Sequence, residues 1–203
     1  MDSDFKWHFE SLAEFFFDEL LPNEQASVSY SAEDTYFLRT NHAKVRQNGF
    51  VRQAEISVTL YKNKRTYSFA QGLSGLIDQD KETLAAALED ARSIIAQLPE
   101  DPYQSIPIAD DDSETIYDGT LLPQGTIEKM LLEPVSDLDF AGLFSQGIIC
   151  RGAANTAGAR HWFQTRTFIL DYSIWLKNGR AVKGLYAGRD WQQAEYEKRI
   201  ADA

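Results

Sequence analysis

Apolar side chains recur every three or four residues near the start of the chain, at Phe5, Phe9, Leu12, Phe16 and Leu20. This spacing places them on one face of a helix. The pattern therefore predicts an amphipathic helix over residues 5–21, which ends at Pro22 because proline disrupts a helix interior.

The pattern changes to short β-favouring runs between residues 25 and 75. Ile56, Val58 and Leu60 alternate with polar or amphipathic residues, which is typical of a half-buried strand. Asn63 in the run KNK predicts a hairpin turn, since asparagine tolerates a left-handed backbone. An Ala- and Leu-rich helix is predicted over 81–98, so residues 1–98 are expected to form an α+β domain of helix, antiparallel hairpin sheet and helix.

Residues 99–139 differ from the rest in composition. They contain five of the six prolines and eleven acidic residues against one base, Lys129. This predicts an acidic linker or extended crossing segment, with a short helix near 124–132. We interpret it as a solvated spacer.

Antiparallel β signals return from residue 140 onward. The strongest is Asn178-Gly179, a sequence typical of hairpin turns. A last amphipathic helix is predicted over 191–200. The sequence thus predicts an α+β fold whose β-rich central domain, 140–203, is incomplete and ends in a helix.

Aromatic residues on both faces of these hairpins suggest that the central sheet needs a cover: Phe163, Phe168, Tyr172 and Trp175. A small open sheet with such residues exposes edges and apolar patches unless another domain or chain covers them. We therefore expect the chain alone to self-associate or to be marginally stable.

The net charge narrows the class of partner. The chain carries 20 basic and 31 acidic residues, a formal charge of −11, with a pI near 4.7. This charge opposes binding to phosphate backbones and anionic lipid surfaces. No export signal or run of about 18–20 apolar residues is present, and Cys150 is the only cysteine, so a cytoplasmic protein is expected.

The charge is unevenly distributed. Residues 39–65 carry seven bases and one acid, and residues 140–190 carry seven bases and two acids. These two β regions could face an acidic partner, an anionic peptide or the acidic linker of the chain itself.

Few residues suggest catalysis. No two of the three histidines are spaced to form a helical zinc pair. His8 is interpreted as a surface or interface side chain and His42 as a loop residue. Cys150, His161 and Asp171 occur in an order compatible with a thiol hydrolase, although the run GIIC favours a buried cysteine.

The run RGAANTAG predicts a tight β-turn or a close backbone approach, since its residues are small. Basic and aromatic side chains surround it: Arg151, Asn155, Arg160, His161 and Trp162. Arginine and tryptophan are favoured interface anchors, so Arg151, Asn155, Arg160 and Trp162 are candidate contacts to a partner or peptide. A plain hairpin with solvated arginines is the alternative.

The central region, GIICRGAANTAGARHWFQTRTFILDYSIWLKNGRAVKGLYAGRDW, resembles the TldD/PmbA family, the so-called modulators of DNA gyrase, and most closely its TldE-like members. The shared features are the Gly- and Asn-containing turn, the run F-x-x-D-Y-S beginning at Phe168, and the run AVK-x-x-YAG beginning at Ala181. The N-terminal stretch FLRTNHAKVRQNGFVRQ is similar to the first domain of the family. The resemblance thus spans almost the whole chain.

The resemblance implies a role in proteolysis. The family resembles zinc metallopeptidases that act on unfolded or modified peptides as TldD/TldE heterodimers, with zinc held by a His-Glu-x-x-x-His helix and a later cysteine. This chain has no acid after His161 to match that motif, which implies a non-catalytic TldE-like chain, no cofactor of its own, and zinc in the partner. Family members are more than twice as long, so a truncated or split form is expected.

Overall fold

One sheet of seven strands and four α-helices make up the described residues, 3–203, of the computed structural model. The strands are β1 Gln25–Asn41, β2 Lys44–Lys62, β3 Arg65–Leu73, β4 Asp112–Tyr117, β5 Asp139–Asn155, β6 Arg160–Trp175 and β7 Ala181–Gly188. The helices are α1 Ser3–Asp18, α2 Ile77–Ile95, α3 Ile127–Leu132 and α4 Gln193–Asp202. The strand order is β3-β2-β1-β5-β6-β4, with β7 also paired to β6. The predicted α+β class is confirmed.

Two-residue turns join the first three strands. Both His42 and Ala43, between β1 and β2, have positive φ angles of 50° and 49°. Asn63 and Lys64, between β2 and β3, have φ angles of 50° and 57°, and Lys62 pairs with Arg65 across the turn. Two successive positive φ angles match the twist of short hairpins. The hairpin predicted at KNK is confirmed, and His42 lies in a loop as expected.

The β6–β7 hairpin turns where Asn178-Gly179 predicted it. Gly179 has a φ of +78°, a conformation that favours glycine, and the Asn178 side-chain oxygen accepts a hydrogen bond from the Arg180 N–H at 3.0 Å. Trp175 pairs with Ala181 on either side of the turn. The strand register is therefore fixed by local turn chemistry.

The chain divides into two compact units. Unit 1 comprises residues 1–32, 53–116 and 150–164, and unit 2 comprises residues 33–52, 117–149 and 165–203. Strands β1, β2, β5 and β6 each contribute residues to both units. The domains predicted at 1–98, 99–139 and 140–203 follow the order of the chain instead, and that division stays a prediction.

Unit 1 buries the predicted face of α1. Phe9, Leu12 and Phe16 are at most 2% exposed. Helix α2 contacts α1 and buries its own apolar stripe, Leu84, Leu88, Ala91 and Ile95. Each fully buried large apolar side chain contributes roughly 1.5–3 kcal/mol, so these stripes hold both helices in place.

His8 is also buried in unit 1, at 4% exposure, so its interpretation as a surface or interface side chain was wrong. Its Nε2 lies 3.0 Å from Asp80 Oδ2, and its Nδ1 lies 3.2 Å from the Tyr30 hydroxyl. Asp80 also accepts hydrogen bonds from the backbone N–H groups of Ser74 and Gly75, just before α2. The histidine therefore has polar partners, which buried polar groups require.

Unit 2 has its own apolar core, to which the predicted acidic linker contributes. Leu122, Ile127, Leu131 and Val135 are at most 6% exposed and pack with the aromatic residues of β5, β6 and α4. The short helix predicted near 124–132 is confirmed by α3. The interpretation of this stretch as a solvated spacer was wrong for residues 122–135, whose apolar side chains lie in the core, whereas Tyr103 and Ile108 are exposed.

No helix within residues 3–203 is both long enough and apolar enough to span a membrane.

Candidate functional site

Asn155 organises the turn between β5 and β6 in unit 1. Its side-chain Oδ1 accepts hydrogen bonds from the backbone N–H groups of Ala157, Gly158 and Ala159 at 2.9, 3.0 and 3.1 Å. Its Nδ2 donates to the Ala109 carbonyl at 3.1 Å. Gly158 has a φ of +120°, so a side chain there would be strained. The tight turn predicted from RGAANTAG is confirmed.

An aromatic stack lies beside this turn. The Phe9 and Trp162 rings are stacked, with centroids 5.9 Å apart, and Tyr30 completes the cluster at 6.2 Å from Trp162. Gly152 makes room for the Phe9 ring, because a Cβ on this glycine would come within 2.8 Å of it. The close approach expected at the small residues is thus made by an aromatic ring.

A pocket of about 260 Å³ opens over this stack. Its apolar floor consists of Phe9 and Trp162, and its rim consists of charged and polar side chains: Lys6, Glu10, Asp112, Ser113, Glu114, Arg160 and His161. Trp162 is 4% exposed, and within residues 3–203 its Nε1–H has no hydrogen-bond partner. A buried donor without a partner costs about 1–3 kcal/mol.

Polar contacts hold the rim of this pocket. Lys6 Nζ donates to Glu114 Oε2 at 2.8 Å and lies 3.6 Å from Glu10. The hydrogen bond to Glu114 is the main cause that raises the pKa of Lys6 above its usual value. His161 Nδ1 lies 2.8 Å from the Ser113 hydroxyl, and its Nε2 lies 3.9 Å from Asp111. The rim therefore carries both charges and suits a zwitterionic or amphipathic group better than a simple anion.

Solved structures share this fold although their sequences are distant. A candidate modulator of a DNA gyrase from Thermotoga maritima matches with a TM-score of 0.65 and 15% identity, over 96% of this chain and 47% of that chain. TldE from Thermococcus kodakarensis matches with a TM-score of 0.63 and 13% identity, over 96% and 46%. A candidate modulator of DNA gyrase from Bacteroides thetaiotaomicron matches with a TM-score of 0.57 and 10% identity, over 98% and 49%.

The fold is that of TldE and the DNA gyrase modulators. The resemblance drawn from the sequence is confirmed at the level of the fold, and this chain spans about half the length of each of these solved relatives. No family model and no curated protein matches the sequence significantly.

The TldE fold places the four predicted contact residues close together in unit 1. Arg151 is exposed, whereas Asn155 and Trp162 are buried. Arg160 is half-buried: its guanidinium donates to the carbonyls of Asn155 and Ala159 and lies 4.9 Å from the Phe17 ring centre. Their role in contacting a partner stays a prediction, and of the four only Arg151 is exposed, with its guanidinium donating to the Cys150 carbonyl at 2.7 Å.

The TldE fold offers no support for the thiol hydrolase. Cys150 is fully buried in β5, and its Sγ lies 3.7 Å from the Gln164 side-chain oxygen. His161 instead forms a hydrogen bond with Ser113, which lies within the predicted acidic linker, 99–139. A nucleophile must reach its substrate, so a thiol at 0% exposure does not serve that chemistry.

Metal ligands are not grouped in the part of the chain that the structure describes. No set of three or more His, Cys, Asp and Glu side chains there is placed to hold a metal ion. The side chains within residues 3–203 therefore do not fit the zinc site that the resemblance implies for the family.

Proposed function

We propose that this chain is a TldE-like, non-catalytic part of a TldD/TldE-type metallopeptidase assembly that degrades or processes peptides. The observation that carries the proposal is the likeness in fold to TldE over 96% of the chain. The zinc and the peptide-bond chemistry belong to a TldD-like subunit, and this chain contributes interface and substrate-chamber surface.

Exposed apolar side chains on unit 2 support an interface role. Ile169, Trp175 and Leu185 are between 46% and 57% exposed although each lies in a strand. Ile169 and Asp171 lie on the same side of β6, and Asp171 pairs directly with Leu185 of β7. Ile169 and Leu185 are therefore diagonal neighbours, and exposed apolar residues that adjoin on a sheet favour a protein interaction surface.

Co-purification with a TldD-like zinc-bearing subunit tests the proposal. We expect the tagged chain to retain that subunit, zinc to elute only when the subunit is present, and hydrolysis of an unfolded peptide to require zinc. An assembly that fails to form, or zinc-independent hydrolysis by this chain alone, would overturn the proposal.

The predicted contact residues can be tested in the same experiment through Arg151, which is exposed and does not contribute its side chain to the core. Arg151→Glu is expected to weaken retention of the zinc-bearing subunit. Lys64→Glu, on the exposed β2–β3 turn of the same unit, makes the same charge change and is the matched control. Equal retention by both variants would remove Arg151 from the interface.

A further inference from the structure

A second concave surface, distinct from the Trp162 pocket, lies entirely within unit 2. It is a groove of about 900 Å³ that crosses five neighbouring strands, β2, β1, β5, β6 and β7. Neighbouring strands are about 4.8 Å apart, so the groove is roughly 20 Å across. An extended peptide of about six residues covers that distance.

Three cationic side chains line the groove, and one acidic side chain accompanies them. Arg39 comes from β1, Arg46 from β2 and Lys183 from β7, whereas Asp171 of β6 is the acidic residue. Lys183 pairs with Ser173, so Asp171 is its diagonal neighbour on the sheet. Within residues 3–203, none of the three cations forms an ion pair or side-chain hydrogen bond with another residue. The groove thus keeps an excess of positive charge over the single carboxylate of Asp171.

The positive charge of the groove contrasts with the net charge of the two units. Unit 1 carries 8 basic and 19 acidic residues, and unit 2 carries 12 of each, so the net charge of −11 belongs to unit 1 and unit 2 is neutral. The two basic stretches, 39–65 and 140–190, supply Arg39, Arg46 and Lys183 to the one groove. We propose that this groove binds an extended acidic peptide segment.

The other lining residues favour a peptide over a nucleic acid. Phe37 and Leu143 give the groove apolar contacts between its cations, as side chains of alternating polarity in an extended peptide require. The Phe37 ring lies against Gly49 and is not a free stacking surface for bases. A nucleic acid carries a charge at every phosphate and would bring one beside Asp171, whereas a peptide of alternating polarity can place an uncharged residue there. The inference concerns binding by this chain alone and does not depend on a zinc-bearing partner.

Fluorescence anisotropy with a labelled hexapeptide of alternating Glu and Leu tests the proposal on the full chain. We expect saturable binding that weakens between 50 and 500 mM NaCl, because salt screens exposed charges. The triple variant Arg39→Glu, Arg46→Glu, Lys183→Glu should raise the Kd about tenfold or more, since three attractions become repulsions. Circular dichroism establishes that the variant is folded. If the charge-reversal variant does not fold, the neutral variant Arg39→Gln, Arg46→Gln, Lys183→Gln is measured in the same assay instead.

The matched control reverses three cations of unit 2 that lie outside the groove, in Lys177→Glu, Arg180→Glu, Lys198→Glu. It has the same net charge as the groove variant and should bind the acidic hexapeptide nearly as tightly as the unchanged chain. Three results would each overturn the proposal: equal weakening in the control, equal binding of a Lys-Leu hexapeptide, or tighter groove-dependent binding of a single-stranded DNA hexamer.

Discussion

Glu24 is the buried acidic residue at the centre of an ion-pair cluster in unit 1, and its removal should lower the free energy of unfolding. Its side chain is fully buried and accepts hydrogen bonds from Arg92 at 2.9 Å, Lys62 at 2.9 Å and the Leu21 backbone N–H at 2.9 Å. Burial by itself raises the pKa of Glu24, but the hydrogen bonds from Arg92, Leu21 and Lys62 outweigh it and lower the pKa to about 2. The cluster joins the end of α1 to α2 and β2.

The size of the effect follows from the lowered pKa. A fall from 4.5 to about 2 corresponds to about 3 kcal/mol of preferential stabilisation of the charged form, at 1.36 kcal/mol per pKa unit. Because the folded pKa lies below the unfolded one, this stability is fully present above about pH 4.5. It is lost as the pH falls through the folded pKa.

Glu24→Gln should therefore lower the free energy of unfolding by about 3 kcal/mol at pH 7, measured by urea denaturation. The difference from the unchanged chain should shrink steadily as the pH falls from about 4.5 to about 2. Glu89→Gln is the matched control, because Glu89 also contacts Arg92 but is 72% exposed, and we expect a loss below about 1 kcal/mol. A loss at Glu24 no larger than at Glu89, or a difference independent of pH, would refute the reasoning.

Three further predictions concern single side chains. Asn155→Ala should destabilise the chain by about 2 kcal/mol or more in thermal or urea unfolding, because three backbone N–H groups lose their acceptor; an unchanged midpoint would contradict the turn geometry. Tyr196→Phe should cost about 1 kcal/mol, since the buried hydroxyl donates to the Leu131 carbonyl at 2.8 Å, and a neutral result would show that water replaces this bond. Cys150 should react with a thiol reagent only on unfolding, and Cys150→Ala should leave complex formation unchanged; fast labelling of the folded chain would contradict its burial.

Local signals in the sequence predicted much of the fold. The apolar spacing of α1, the alternation in β2, and the turn residues Asn63 and Asn178-Gly179 are each read within a few neighbouring residues, and each lies where predicted. Such features depend on backbone propensity and burial of one face, which a short window of sequence contains.

Two wrong interpretations of burial conflicted with the spacing of apolar residues, but the composition of the sequence was given more weight. Ile127, Leu131 and Val135 repeat every four residues, a helical spacing, but the surrounding acids and prolines suggested a solvated linker. His8 precedes Leu12 by four residues and so shares the apolar face of α1. In both cases periodicity was the better guide to burial than composition.

The candidate site had no such local signal. The contact between His161 and Ser113 joins residues 48 positions apart, and the stack of Phe9 on Trp162 joins the first helix to the sixth strand. These contacts depend on which strands lie side by side, and turn chemistry specifies only the neighbours within a hairpin.

Unit 1 is built from three separate segments of the chain, so it cannot fold completely until the last of them has been synthesised. The Ala26 N–H donates to the Thr156 hydroxyl at 3.2 Å across 130 residues of chain. At about 5–20 residues per second, the second partner emerges roughly 6–26 s after the first. Until then Phe9 and Tyr30 lack their Trp162 contact, and the early strands lack their neighbour β5. A nascent chain arrested before residue 150 should therefore be sensitive to protease and should bind chaperones, whereas one arrested after the whole of unit 1 has left the exit tunnel should be protected.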